Sequence, residues 1–311
     1  MRWLVIGHGD VVIRHSVPAL REIGAGILLW GRDPERAAGV AATLGVPARA
    51  DLGPAMADAD AVYVATPVAT HVAYAEAAIA AGKPVLVEKP VSGALPIDAT
   101  RLSAARTTVG CAYYRRLDPM LRHLRDEMRR GGPWTVTVDF AEDFRPAPGD
   151  PKFWRTEEQV SGGGVLADAG SHRVDLLCWL LGAPASVTAT FAGRGPGGAE
   201  RAAEVELTWA DGSIARGRFD WSGPAVDRFQ VTGATASFQA AALDGGVLAG
   251  AAGEVRRFAV PANRRIAMFA DFEAALAAGT PPACPLEEAL LVDRVLRAAA
   301  RSSDAGAPVA L

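Results

Sequence analysis

The stretch RWLVIGHGDVV, residues 2–12, decides the fold. An apolar run of strand length breaks at Gly7, a second glycine follows at position 9, and a helix-forming segment begins directly after. A strand that turns on glycine into a helix opens a βαβ unit. Residues 14–23 then read as a helix and GILLW (26–30) as the next strand. RDPERAAGVAATLG (32–45) carries its own punctuation, with Asp33 as N-cap, Pro34 at the first helical position and Gly45 past the end. DAVYVA (60–65) reads as a strand, 68–81 as a helix closed by Gly82, and PVLVE (84–88) as a strand; a helix near 96–106 and a strand near 107–112 follow. Five such alternations predict a doubly wound parallel sheet, a Rossmann architecture.

Beyond about residue 118 the texture changes. WTVTVDF (134–140), ASVTATF (185–191), AEVELTW (203–209) and SIARGRFDW (213–221) alternate apolar and polar residues, and Asp211-Gly212 is a hairpin signal. They predict a large, mostly antiparallel, open-faced sheet in an α+β domain. A helix within 161–182 ended by Gly182, a loop at 192–202 and a last helix at about 285–303 complete it. The division expected is therefore 1–117 for a dinucleotide-binding domain and 118–311 for substrate binding and oligomerisation.

Composition narrows the function. The 311 residues are 50% hydrophobic, 22% charged and 7% aromatic, enough to bury two cores, and a net charge of -3 offers no basic field for nucleic acid. No apolar run approaches the roughly 20 residues of a membrane span, and no charged leader precedes the first strand, so a cytoplasmic location is expected. Cys111, Cys178 and Cys284 fit neither a disulfide framework nor zinc spacing.

At the first glycine turn, Gly7, Gly9, Asp10 and Val11 are placed to meet a pyrophosphate, although Val12 stands where a third glycine normally lets helix and strand pack closely. The second strand ends Trp30-Gly31-Arg32, without a free acidic residue for a ribose 2′-hydroxyl, because Asp33 is taken as a helix cap. Arg32 suits a 2′-phosphate and favours NADP over NAD. A solvated helix-start arginine is the plain alternative.

Two more signals end predicted strands: ATPVATH (65–71) and VEKPV (87–91), which delivers Lys89 between Glu88 and a proline. Further on, GGGVLADAGSHRVD (162–175) sets Asp168 and His172 four apart behind three glycines, one helical turn from each other. By spacing alone Asp168 reads as a helix-start residue and His172 as a core histidine. A metal site on His172, Asp168 and Asp175 lacks the Cys or further His ligands a zinc enzyme would bring, and none is expected.

Taken together with YYRRLDP (113–119) and the closing RSSDAGAPVAL, these motifs resemble the glucose-fructose oxidoreductase, inositol dehydrogenase and rhizopine-catabolism family of NAD(P)-dependent oxidoreductases. The resemblance runs nearly end to end. It implies that Lys89, Asp168 and His172 are catalytic, and that Thr66, Pro67, His71, Glu88 and Lys89 line the cofactor. It also implies that Lys89-Pro90 is cis, and that Trp154 and Arg155 reach the substrate. Tyr113-Tyr114-Arg115-Arg116 departs from the family's polar pair and suggests an aromatic wall, with Tyr114 and Arg116 at the substrate. The reaction implied is hydride transfer between the nicotinamide and a secondary alcohol or ketone of a sugar, sugar derivative or cyclitol. His172 would take the proton and Lys89 hold the reacting oxygen. An NAD-dependent glycosidase of the same fold, working by transient oxidation, and a nonenzymatic NADP sensor are the rival readings. A wide apolar sheet face needing cover suggests a homodimer or homotetramer through the C-terminal sheet.

Overall fold

The computed structural model describes residues 1–251 and 253–311. The chain forms two compact units, one made of Met1–Ser92, Pro96–Tyr114 and Ala262–Leu290, the other of Gly93–Leu95, Arg115–Pro261 and Leu291–Leu311. Residues 262–290 thus belong with the N-terminal part of the chain, across the division expected at 117/118.

In the first unit, β1 (Arg2–Ile6), β2 (Gly26–Trp30), β3 (Ala61–Val64), β4 (Val85–Val87) and β5 (Val109–Cys111) form a parallel sheet in the order β2-β1-β3-β4-β5. Trp3 to Ile6 and Ala61 to Val64 are wholly buried. Burial on both faces is why these strands read as unbroken apolar runs. Helices α1 (Val17–Glu22), α2 (Pro34–Leu44), α3 (Leu52–Ala57) and α4 (His71–Ala80) connect them. α2 keeps the caps read from its sequence: the Asp33 carboxylate accepts from the Arg36 N–H at 3.0 Å, and Gly45 is left-handed.

Between β4 and β5 the expected helix at 96–106 is only a 3-10 turn, Ala99–Ala104. Asp98 accepts from both the Thr100 N–H and its hydroxyl, a local alternative to helical bonding, and only Ala99 and Leu102 are buried, so no apolar stripe holds a longer helix.

The second unit holds α5 (Pro119–Met128), β6 (Thr135–Asp143), α6 (Glu158–Ser161) and α7 (Ser171–Leu181). Seven strands follow: β7 (Ser186–Ala192), β8 (Ala202–Thr208), β9 (Ile214–Asp220), β10 (Ser222–Thr232), β11 (Ser237–Ala240), β12 (Val247–Gly250) and β13 (Val255–Arg257). Next in the chain is α8 (Arg265–Ala278), which returns to the first unit and sets Phe269 and Phe272 on Trp3, with ring centroids 5.2 and 5.5 Å apart. Each buried ring contributes roughly 1.5–3 kcal/mol to holding α8 there. α9 (Leu286–Ala305) and β14 (Val309–Ala310) close the chain. Near its end α9 ties down β7, whose Ala189 and Phe191 N–H groups donate to the hydroxyls of Ser302 and Ser303.

The nine strands run β13-β12-β11-β10-β6-β9-β8-β7-β14. All neighbours are antiparallel except β6 and β9. One face carries Val136, Val138, Val187, Val205 and Phe229 into the core. The other is polar, bearing Thr137, Asp139, Thr188, Thr190, Glu204, Glu206, Arg216 and Arg218 around a shallow depression of about 340 Å³. The apolar face invoked for oligomerisation is therefore absent: among the described residues the large exposed hydrophobics are Met1, Ile13, Val255, Val260 and Leu311.

Candidate active site

The turn after β1 is built for a close approach. Gly7 has φ 121°, and a Cβ there would lie 2.4 Å from the Ala65 carbonyl oxygen at the end of β3, so no other residue fits. At Gly9 an added Cβ would meet nothing within 4 Å, which leaves an open, uncluttered backbone. Asp10 is held by Arg14 at 2.6 Å. Val12, in the third glycine's place, is fully buried, and the helix there opens into a π turn, Val12–Ser16. The wider turn makes room for a side chain where glycine would permit tight packing. Arg32 is exposed just past β2. This constellation fits a dinucleotide, with pyrophosphate at Gly9 and adenosine ribose at the end of β2.

The loops after β3 and β4 are locked from below. His71 is buried, with Nδ1 2.9 Å from the Pro90 carbonyl oxygen and Nε2 2.8 Å from that of Thr66, so it clasps the two loops together rather than facing a ligand. Burial lowers its pKa against the pull of those two carbonyls and of Glu88. Thr66 accepts from the Thr70 hydroxyl at 2.9 Å, Pro67 is exposed, and Lys89-Pro90 is cis. Lys89 itself is half-buried at the carboxyl end of β4.

Glu88, expected at the cofactor, is buried. It accepts from the Tyr63 hydroxyl at 2.5 Å, and Arg265 of α8 lies 3.5 Å away. Burial pushes the Glu88 carboxyl up, but Arg265, the Tyr63 hydrogen bond and Lys89 outweigh it and hold the group below the ordinary carboxylate range. Burial and the same carboxylate push Tyr63 well up. Arg265 also lies 5.1 Å from the Tyr114 ring centroid, while Tyr113 is buried, so only Tyr114 could form an aromatic wall. Sequence reading missed Arg265 and Tyr63, which lie far from the lysine in the chain and carry no motif.

In the second unit the glycine run is explained by one buried carboxylate. Glu200 accepts from the N–H groups of Gly164 at 2.7 Å and Leu166 at 3.0 Å, and its own carbonyl accepts from Val165 at 3.1 Å. A Cβ on Gly164 would sit 1.9 Å from that carbonyl oxygen. Burial pushes the Glu200 carboxyl up against the backbone N–H groups of Leu166, Gly164 and Glu200 itself, which favour its ionised form.

From this anchor the chain winds as a π turn, Leu166–Gly170, into α7. Asp168 therefore sits on a wider turn than the regular helix expected. It is partly exposed, with Arg155 donating to Oδ2 at 3.4 Å, and Arg155 in turn lies near the rings of Phe144 and Trp154. His172 is buried one residue into α7. Arg173 is buried against Phe140, 4.2 Å from the ring centroid, and donates to Asp227 at 2.6 Å.

Arg116, expected at the substrate, is 1% exposed and donates to both Asp175 oxygens, the shortest contact being 2.6 Å; Asp175 is wholly buried. The pair fixes α7 and leaves Arg116 unable to reach a ligand. An acidic residue in the otherwise apolar run VDLLCWLL was the signal that a buried cation must exist.

Glu142 was not anticipated. It lies on β6 between Phe140, under Arg173, and Phe144, beside Arg155. Burial and the Asp168 carboxylate raise its pKa against Arg155, Arg173 and Lys152. The second unit thus offers a buried imidazole, a partly exposed carboxylate and a second carboxyl whose pKa its surroundings raise, groups able to bind hydroxyls and exchange a proton. Among the described residues no group of three or more His, Cys, Asp or Glu could hold a metal, and no helix is long and apolar enough to cross a membrane.

Comparison with known proteins accords with this geometry. Residues 1–115 match the profile described as an oxidoreductase family with an NAD-binding Rossmann fold, and residues 120–239 match the GFO/IDH/MocA C-terminal domain. The 1,5-anhydro-D-fructose reductase of Ensifer adhaerens is 30% identical over 69% of this chain and 68% of its own. An inositol 2-dehydrogenase of Acidothermus cellulolyticus is 35% identical over 44% of this chain and 39% of its own. Across eight curated relatives the matched stretch spans 39 to 68% of their length. Among solved structures, GenD2 from gentamicin A biosynthesis, in complex with NAD, is 25% identical with a TM-score of 0.83, covering 100% of this chain and 96% of that one.

Proposed function

The chain belongs to the GFO/IDH/MocA oxidoreductase family, and from that premise we propose that it transfers a hydride between a nicotinamide nucleotide and a hydroxyl-bearing carbon of a sugar, sugar derivative or cyclitol. The observation that carries this reading is the Gly7 to Gly9 turn, open at Gly9, at the carboxyl end of β1, between β2 and β3 in the parallel sheet. The names of the two relatives, a reductase of an anhydro sugar and a cyclitol dehydrogenase, support the substrate class. Arg32 selects NADP over NAD.

The bound nucleotide supplies the hydride acceptor or donor; the chain supplies the proton chemistry. His172 takes the hydroxyl proton of an alcohol being oxidised and returns it in the reverse direction. Lys89 hydrogen-bonds the reacting oxygen and stabilises its developing negative charge. Asp168, partly exposed and 3.4 Å from Arg155, binds a neighbouring hydroxyl, and Trp154, Arg155 and Tyr114 shape the substrate space. The assembly proposed is a cytoplasmic homodimer or homotetramer through the nine-stranded sheet, held by its rows of Glu and Arg rather than by apolar cover.

The test is titration of purified protein with NADPH and NADH, after checking for nucleotide already bound, followed by a screen of sugars and cyclitols for reduction of the nucleotide. Exchangeable NADPH binding and turnover of a polyol support the proposal. Nucleotide that copurifies and will not exchange, with cleavage of glycosides and no net redox change, would replace it with the glycosidase reading.

A further inference from the structure

We propose that His8 reads the 2′-phosphate of NADP together with Arg32 and Arg36, and so ties the nucleotide preference of this protein to pH. The inference rests on the NADP reading above and adds to it a residue that no glycine motif requires. Its starting point is Gly31: a Cβ built there would lie 2.4 Å from His8 Cδ2 and 3.0 Å from its Nε2. The imidazole therefore lies against the last residue before Arg32, filling the space that the missing side chain leaves. In a Rossmann unit this strand end is where the adenosine ribose presents its 2′ position.

The charges around the ring favour an anion. Asp33 already accepts from the Arg36 N–H as the cap of α2, which leaves its backbone-facing carboxylate less suited to a ribose hydroxyl. Arg32 and Arg36 are both exposed on the same turn and first helical turn. The charged groups that act on His8 are Arg36, which disfavours its protonation, and Asp33, which favours it; burial is the larger influence and, with Arg36, lowers its pKa. Glu35 stands in the first turn of α2, and Asp10, in the ring's own loop, is engaged by Arg14. An imidazole whose protonation its surroundings disfavour takes up a proton more readily when a phosphate dianion arrives beside it. Binding of NADP then takes up a proton at His8, whereas NAD, lacking the phosphate, leaves the ring as it was.

The experiment measures Kd for NADPH and NADH by nicotinamide fluorescence from pH 6 to 8.5, with 2′,5′-ADP and 5′-ADP as competitors, in wild type, His8→Ala, His8→Gln and Arg32→Ala. In wild type the NADPH preference should fall about tenfold as pH rises, the worth of one charge-assisted hydrogen bond. His8→Ala and His8→Gln should lose that slope and weaken NADPH and 2′,5′-ADP at low pH while leaving NADH and 5′-ADP unchanged. The phosphate's own ionisation is common to all four proteins and cancels in the comparison. A slope that survives in both His8 variants, or equal weakening of both nucleotides, overturns the inference. If Arg32→Ala abolishes the preference while the His8 variants keep it, His8 alone is excluded; if neither substitution alters it, the NADP reading falls as well. Melting temperatures of the two His8 variants near that of wild type confirm that binding, and not folding, is being read.

Discussion

Replacing Gly164 with alanine tests whether the glycine run exists to meet Glu200. The added methyl would lie 1.9 Å from the Glu200 carbonyl oxygen and 2.6 Å from its nitrogen, both backbone atoms, so the turn must move away. Moving it breaks the two N–H bonds to the Glu200 carboxylate, at 2.7 and 3.0 Å. At about 1.5 kcal/mol each those bonds amount to roughly 3 kcal/mol, and residual overpacking of about 1–2 kcal/mol brings the loss to roughly 4–5 kcal/mol. For a unit of this size that corresponds to a fall in Tm of about 8–20 °C, read by circular dichroism. Gly39→Ala is the matched control, because position 39 lies inside α2 with nothing within 4 Å of the new methyl. It should stabilise by about 0.5–1 kcal/mol through better helix propensity. A Gly164→Ala protein that melts within about 2 °C of wild type, the shift of no more than about 1 kcal/mol in a unit of this size, would refute the idea that this glycine is required by Glu200.

Other substitutions probe the remaining machinery. Glu88 has a folded-state pKa below its ordinary 4.5, so its ionised form adds stability above that value, which is lost as pH falls below 4.5 and through the lowered one. Glu88→Gln should flatten the dependence of Tm on pH in that acid window, and equal slopes in both proteins would show that Arg265 and Tyr63 do not favour the carboxylate. Asp175→Asn leaves Arg116 buried without its counter-charge and should cost about 3–5 kcal/mol in urea unfolding, whereas the double replacement Arg116→Met with Asp175→Leu should cost much less. Lys89→Ala should lower kcat on whichever polyol is turned over by about 10²–10⁴-fold while Kd for the nucleotide stays nearly constant; a comparable loss of nucleotide binding would move Lys89 from proton chemistry to cofactor retention.

The first unit was legible because its physics is local. Buried parallel strands announce themselves as apolar runs, and α2 carries both caps within its own sequence. What escaped was non-local. α8, RIAMFADFEAALAA, has little polar face to mark it because it is pressed into the core beside Trp3 and Tyr63. β10 hides behind a glycine, a proline and an irregular register at Ser222 and Val226. At the site, motif and resemblance are what singled out Lys89, Asp168 and His172, and spacing alone left them ambiguous. Arg116 was expected at the substrate because its partner Asp175, 59 residues away in the chain, is brought to it only by the fold. Glu142, Glu200 and Arg265 are single charged residues, and what gives each its role is a neighbour brought by the fold.

The return of α8 to the first unit has a consequence for how the protein is made. β5 leaves the ribosome with the rest of the N-terminal sheet, yet Phe269 and Phe272, which cover Trp3, follow only after roughly 150 more residues, a delay of about 10–30 s at ordinary elongation rates. During that interval Trp3 and its neighbours lack their final cover. A nascent-chain chaperone has a defined window in which to act, and a fragment cut near residue 117 would carry the same exposed surface permanently.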